Sequence, residues 1–374
     1  MDIPYVVAPA LIVLVCLGIF GFCVRSGIQL WKKRQSLWST LLAATSLIFL
    51  GVSTLTLSAL TGFNAVSLYH VRHPAPGQLY RVDGREMRME CTGSGAPTLI
   101  LEAGGGETGL MWSAVQPSLS KITRVCSYDR SGMGWSDTSP SVRDADSIAQ
   151  ELHALLQTAH VEGPLVLVGA SRGGLYIRDF ASKFPEQVVG LVLVDSSTPL
   201  QQDDPTYKAF DNPRRVSKWV LLMNQAVFIV GIPRLMGACV IPFAGTTEQA
   251  ARLRSASECH PSFDTDTREQ EALDASGKET LHASFGSRPV LVVSHDPAAE
   301  LREGIPPALE ATSDRLQQRM MKLSSCGHRV IVRGSGHRIS DTRPPVLTKD
   351  VGVLVAKLKE AALDDHYCGV TEQH

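Results

Sequence analysis

The stretch Pro164-Leu165-Val166-Leu167-Val168-Gly169-Ala170-Ser171-Arg172-Gly173-Gly174-Leu175-Tyr176-Ile177-Arg178-Asp179-Phe180-Ala181 decides how the rest of the chain is read. Its first five residues form an apolar run that predicts a buried strand. Leu175 to Ala181 predicts a helix. Between them lies Gly-Ala-Ser-Arg-Gly, a G-x-S-x-G pentapeptide. In such a strand–turn–helix the serine sits on a turn so tight that the residues two before and two after it must nearly lack side chains. Its hydroxyl then projects from the sheet edge at the positive end of the helix. An ordinary glycine-rich turn would satisfy the pentapeptide alone. The flanking strand and helix make Ser171 the candidate nucleophile.

Composition narrows the partners. The chain has 374 residues, enough for one large domain and an appendage. Lys+Arg number 36 and Asp+Glu 37, for a net charge of -1. That balance argues against a nucleic-acid partner, which needs a basic surface.

Apolar residues concentrate at the N-terminus. No charge occurs from Ile3 to Val24, nor from Leu37 to Leu60. Each run is long enough to span a bilayer as a helix. Between them lie Arg25, Lys32, Lys33 and Arg34, with Trp31 and Trp38 as interfacial anchors. Residues 1–71 are therefore expected to form two transmembrane helices joined by a short basic loop. The positive-inside rule puts that loop in the cytoplasm, and the domain of residues 72–374 in the periplasm, the exterior or a lumen. A cleaved signal peptide fits the first run poorly, because its start carries Asp2 and no Lys or Arg. Of the 8 cysteines, the six outside the first apolar run suit disulfides in an exported domain, buried free thiols being the alternative. Their spacing does not resemble a zinc site, and no metal is expected.

From about Arg72 onward, strand and helix patterns alternate. Strands are expected at 78–82, 86–91, 98–101, 124–128, 164–168, 188–194, 289–293 and 329–332. Helical spacing is expected at 148–156 and from Val346 to about Leu363. This alternation implies a mostly parallel sheet covered by helices. It is interrupted for about ninety residues after Ser196, too long for a structureless loop. The segment 197–287 is expected to be a helical cap over the sheet edge, with helices near 219–223, 227–230 and 248–255. Asn224, Gln225, Pro233 and Arg234 argue against a third span at 219–240. Contact of this apolar cap with the bilayer surface is the expectation instead.

A serine needs a base to become a nucleophile at neutral pH. His337, in Gly334-Ser335-Gly336-His337, follows the last expected sheet strand and is the candidate base. A carboxylate should orient it and stabilise the imidazolium. Asp296 follows the strand 289–293 and is preferred. Asp195 follows the strand 188–194 and is the alternative acid. Backbone N–H groups should bind the oxyanion, one from Arg172 and one from Gly105 in Gly104-Gly105-Gly106. No lysine follows that glycine run in P-loop fashion. The Arg172 side chain either guides an anionic substrate or lies solvated at the surface. Trp112 and Trp135 either line the pocket or pack in the core.

The segments Leu99–Gly106 and Ser127–Ser136, the elbow at Ser171, Asp296 and Gly336-His337 together resemble the α/β-hydrolase superfamily, over 72–363 and in the family's order. The resemblance implies an α/β-hydrolase fold, an eight-stranded sheet with a helical cap between strands six and seven. It also implies an acyl-enzyme mechanism with no metal or organic cofactor. The family's strand order would set Cys91 beside Cys126, a first disulfide. Cys239 and Cys259, both in the cap, could form a second, and Cys368 could pin the tail. The chain departs from many relatives in carrying Ala103 where they place a histidine before the glycines. Relatives that act on haloalkanes or epoxides carry Asp at the elbow, so a serine implies attack on an acyl carbon.

The resulting expectation is a membrane-anchored carboxylesterase or lipase-like serine hydrolase acting on a small-molecule or lipid ester. A peptidase or amidase on the same triad, and a non-catalytic membrane-tethered binding scaffold, are the alternatives.

Overall fold

The computed structural model describes residues 14–22, 24–26, 28–29, 37–72, 75–199, 201, 203–210, 218–236, 263–360, 368–369 and 371–374. These fall into two compact units. One comprises residues 1–74 with 215–240, the other 75–214 with 241–374.

The larger unit is a nine-stranded sheet: β1 Gln78–Val82, β2 Arg85–Thr92, β3 Thr98–Glu102, β4 Val125–Tyr128, β5 Leu165–Ala170, β6 Val188–Val194, β7 Val290–Ser294, β8 Gly327–Ile331 and β9 Thr371–Gln373. Their order is β1-β2-β4-β3-β5-β6-β7-β8-β9. β2 pairs antiparallel with β1 and β4, and every other pair is parallel. β3, β5 and β7 are buried throughout, as apolar runs covered on both faces require.

Side chains alternate across the sheet. Ile100, Leu167, Leu193 and Val292 face one core, with Leu152 and Leu155 of helix α2 (Ala145–Thr158) and Ile177 and Phe180 of helix α3 (Gly173–Lys183). Leu101, Val168, Val194 and Val293 face the other, with Leu347, Val351 and Leu354 of helix α7 (Pro344–Glu360). Asp144 caps α2 by accepting from the Ser147 N–H at 2.9 Å.

The eight strands expected from the sequence all form, and the ninth comes from the polar tail. It pairs with β8 in the register Arg329↔Thr371. A Cys326–Cys368 disulfide ties the tail beside the start of β8. Cys91 and Cys126 are directly opposed on β2 and β4 and are bonded. Cys239 and Cys259 lie outside the described residues, as does the helix expected at 248–255.

The insertion between β6 and β7 is not one body. Its described residues 263–287 belong with the sheet unit, where helix α5 (Phe263–Glu271) docks through Glu269 onto Arg130 at 2.8 Å. Residues 215–240 cluster instead with the N-terminal segment. The physical reason lies in helix α1 (Leu37–Arg72), whose Asn64 Nδ2 donates to the carbonyls of Phe228 at 3.2 Å and Ile229 at 3.0 Å. Those carbonyls belong to helix α4 (Lys218–Val230), in which the two helical stretches expected near 219–223 and 227–230 merge. Within α1, Ala44–Val66 is long and apolar enough to cross a membrane, by length and composition. The first apolar run is described only in part; its described residues 14–22 and 24 are helical, as are 25–26 and 28–29 beyond it.

Candidate active site

Three strand ends build the site. After β5 the chain turns sharply through Ser171 at φ 50°. Two glycines make the turn possible: a Cβ on Gly169 would lie 2.7 Å from the Gly173 carbonyl, and one on Gly173 would lie 2.5 Å from that of Ala103. After β6, Asp195 also takes a left-handed conformation, at φ 42°. Such strain in non-glycine residues persists only where surrounding structure holds it. Here the Ser171 N–H donates to the Val194 carbonyl at 3.0 Å, and the Asp195 N–H to that of Val293 at 2.7 Å. After β8, the loop carrying His337 is held by Glu300, which accepts from the His337 N–H at 2.7 Å.

These turns bring Ser171, His337 and Asp195 into line. Ser171 Oγ lies 3.2 Å from His337 Nε2. His337 Nδ1 lies 2.5 Å from Asp195 Oδ2. With the proton on Nδ1 donated to Asp195, Nε2 is free to accept the serine proton.

Asp296 is not placed against His337. Its carboxylate accepts from the Ala298 N–H at 3.0 Å, capping the short helix Pro297–Arg302, and from the Gly334 N–H at 2.8 Å. The alternative acid, Asp195, occupies the position beside the histidine. Both aspartates follow adjacent parallel strands, and the left-handed turn at Asp195 aims its carboxylate at His337. Asp296 braces the backbone of the histidine loop instead.

His295, which the sequence reading passed over, completes the cluster. Its Nδ1 lies 2.6 Å from Asp195 Oδ1 and its Nε2 3.0 Å from Glu310 Oε1, on helix α6 (Pro307–Met320). Both ring nitrogens therefore meet carboxylates, an arrangement that favours the imidazolium, in which both donate. Burial alone would lower the pKa of His295, but Asp195 and Glu310 outweigh it and push it up to about 10. Burial would raise that of Asp195, yet the two histidines hold it well below the usual carboxylate range. For His337, burial opposes the charge, and Asp195 with Glu107 raises its pKa above the ordinary 6.5.

The glycine loop and Arg172 also meet. The Arg172 guanidinium lies against Gly105, where a Cβ would collide with it, and pairs with Asp266 of α5. Arg172 is therefore ion-paired rather than freely solvated. The loop is braced from below by Arg130, which donates to the carbonyls of Ala103 and Gly104, each at 2.8 Å. Arg130 in turn is held by Glu102 at 2.7 Å and by Glu269. Trp112 is fully buried in the core, and the Trp135 ring lies under Arg88, 5.9 Å away. A cavity of about 230 Å³ adjoins the site, lined by Ser171, His337, Ser197, Tyr207, Ile305 and Leu309 among others.

Known proteins match this architecture. The alpha/beta hydrolase fold family model matches residues 97–332, and the chain belongs to that family. An uncharacterised protein of Schizosaccharomyces pombe is 32% identical over 207 residues, covering 47% of this chain and 36% of its own length. An uncharacterised vacuolar membrane protein of Saccharomyces cerevisiae is 38% identical over 104 residues, covering 27% of this chain and 16% of its own. The chain thus spans well under half the length of either relative. Among solved structures, the epoxide hydrolase CorEH superposes with a TM-score of 0.52 at 16% identity, covering 75% of this chain and 98% of its own.

Proposed function

We propose that this hydrolase is a membrane-anchored serine hydrolase that cleaves carboxylic esters through an acyl-enzyme. The carrying observation is the Ser171 Oγ–His337 Nε2–Asp195 chain of contacts, at 3.2 Å and 2.5 Å. Ser171 attacks the acyl carbon as His337 takes its proton. His337 then protonates the departing alcohol, while Asp195 stabilises the imidazolium. The backbone N–H groups of Arg172 and Gly105 receive the developing oxyanion. Water, deprotonated by His337, releases the acid and restores Ser171. A serine at the elbow favours acyl chemistry over epoxide opening, although the fold is shared.

Anchoring is supported by the apolar span Ala44–Val66 and by the name of the yeast relative. The basic residues Arg25, Lys32, Lys33 and Arg34 favour a cytoplasmic loop and a hydrolase unit on the far side.

Fluorophosphonate labelling of wild type and Ser171→Ala tests the nucleophile, followed by nitrophenyl esters of increasing chain length and matching arylamides. Label and ester turnover should vanish together in the variant. Folded wild type that takes no label would overturn the assignment, and arylamides cleaved as readily as esters would replace esterase with amidase.

A further inference from the structure

Helix α4 has 13 residues, so it reaches only ~20 Å at about 1.5 Å per residue, short of the ~30 Å of a bilayer core. A helix of that length and apolarity is a core helix or one embedded part-way in a membrane. The core reading fails on exposure: Trp219 is 77% exposed, Met223 65%, Leu235 58% and Met236 78%. The sequence carries no charge from Trp219 to Pro233, and Lys218 and Arg234 bracket that run.

The last turn of α4 supplies the second observation. Its carbonyls have no partner within the helix and must find donors elsewhere. Asn64 Nδ2 donates to those of both Phe228 and Ile229, from a side chain 5% exposed and inside the apolar span of α1. Gly231 ends α4 at φ 85°, and its N–H returns to the Phe228 carbonyl at 3.0 Å. A Cβ there would fall 2.6 Å from Asn64 Cγ, so the approach requires glycine. In hydrocarbon, backbone carbonyls and a lone amide side chain are each costly unless they satisfy one another.

We infer that α4 and the turn through Met236 lie embedded in the same phospholipid bilayer as α1, latched to it by Asn64. This rests on the membrane-anchored reading above. Asn64 stands near the C-terminal end of the span, so α4 enters the leaflet at that end of α1. On α1, Phe49, Val52, Phe63 and Val66 are exposed as well. The tryptophan at the start of α4 suits the interface. The segment that follows β6 and Asp195 is thereby tethered to lipid.

The test uses the full chain in phospholipid nanodiscs, with ordinary lipids or lipids brominated on the acyl chain close to the headgroup. Tryptophan emission of wild type minus that of Trp219→Phe isolates Trp219 from the other four. Brominated lipid should remove most of that difference signal, and aqueous iodide should leave it intact. Asn64→Leu should make Trp219 accessible to iodide while the protein stays in the membrane. Quenching by iodide but not by bromolipid in wild type overturns the inference. Protection from both overturns it too, because a protein partner or a second copy would then cover α4. An Asn64→Leu profile identical to wild type overturns the latch. A carbonate wash separates the two readings: release of the protein sinks anchoring and embedding together, whereas retention with an iodide-accessible Trp219 sinks the embedding alone.

Discussion

Asp195 holds a histidine on each carboxylate oxygen, His337 on one and His295 on the other. Replacing it should therefore damage both the tautomer of His337 and the pairing of His295. Asp195→Asn is expected to lower kcat about 10²- to 10⁴-fold, the range for a misoriented general base. Asp296→Asn should leave kcat within a few-fold and lower the melting temperature instead, because it braces backbone. Equal losses in kcat from the two variants would count against this assignment.

The sequence favoured the wrong acid, since Asp195 directly follows β6, Asp296 lies two residues beyond β7, and only the backbone turn decides which carboxylate meets His337. His295 offered no local signal either, because Glu310, its second partner, lies a helix away. Its charge makes a separate prediction. The pKa of His295 is raised from 6.5 to about 10, so its stabilising contribution is complete below pH 6.5 and is lost as pH climbs to about 10. The wild-type melting temperature should fall across that window relative to His295→Asn. Parallel curves for the two proteins would show that the imidazolium contributes nothing. For activity the sign reverses, because the base must be neutral. Raised above 6.5, the His337 pKa should place the acid limb of the kcat/KM profile above that value.

At the level of elements, the glycine loop after β3 is rigid because of Arg130, which begins the turn after β4. The sequence made the loop legible through Gly104-Gly105-Gly106, and the strands through their apolar runs. It did not reveal the brace, because Glu269 is distant in the chain and lies in the insertion. Arg130, Glu102 and Glu269 are all fully buried, and burial outweighs Arg130 in raising the pKa of Glu102. Removing the shared cation would leave two buried carboxylates without their guanidinium, Glu102 keeping the Tyr128 hydroxyl and Glu269 the Tyr176 hydroxyl and the more distant Arg143. Arg130→Ala should cost about 3–5 kcal/mol, read as a shift in the denaturation midpoint. Arg130→Met together with Glu269→Leu should recover part of that loss by removing one stranded charge. If the single and double variants are equally unstable, the pair does not act as a unit.

For the whole molecule, sidedness and redox state are linked. The paired cysteines Cys91–Cys126 and Cys326–Cys368 tie β2 to β4 and the tail to the start of β8 within the sheet unit. The first pair followed from strand order, whereas the second depended on a ninth strand whose polar residues carry no apolar signal. Disulfides persist in oxidising compartments and are reduced in the cytosol. The proposed topology, with its basic loop in the cytoplasm, places the hydrolase unit where both bonds survive. Thiol trapping in acid-quenched cells tests this without purification. Those four cysteines should resist a maleimide–polyethylene glycol reagent until reductant is added. Cys91→Ser with Cys126→Ser should then remove two additions from the reduced sample and none from the untreated one. Neutralising Arg25, Lys32, Lys33 and Arg34 should weaken the orientation bias, so that a fraction of the chains reacts without reductant. If the wild type reacts fully before reduction, the hydrolase unit faces the cytosol. The positive-inside reading of the N-terminal loop would then be wrong, while the site chemistry would stand.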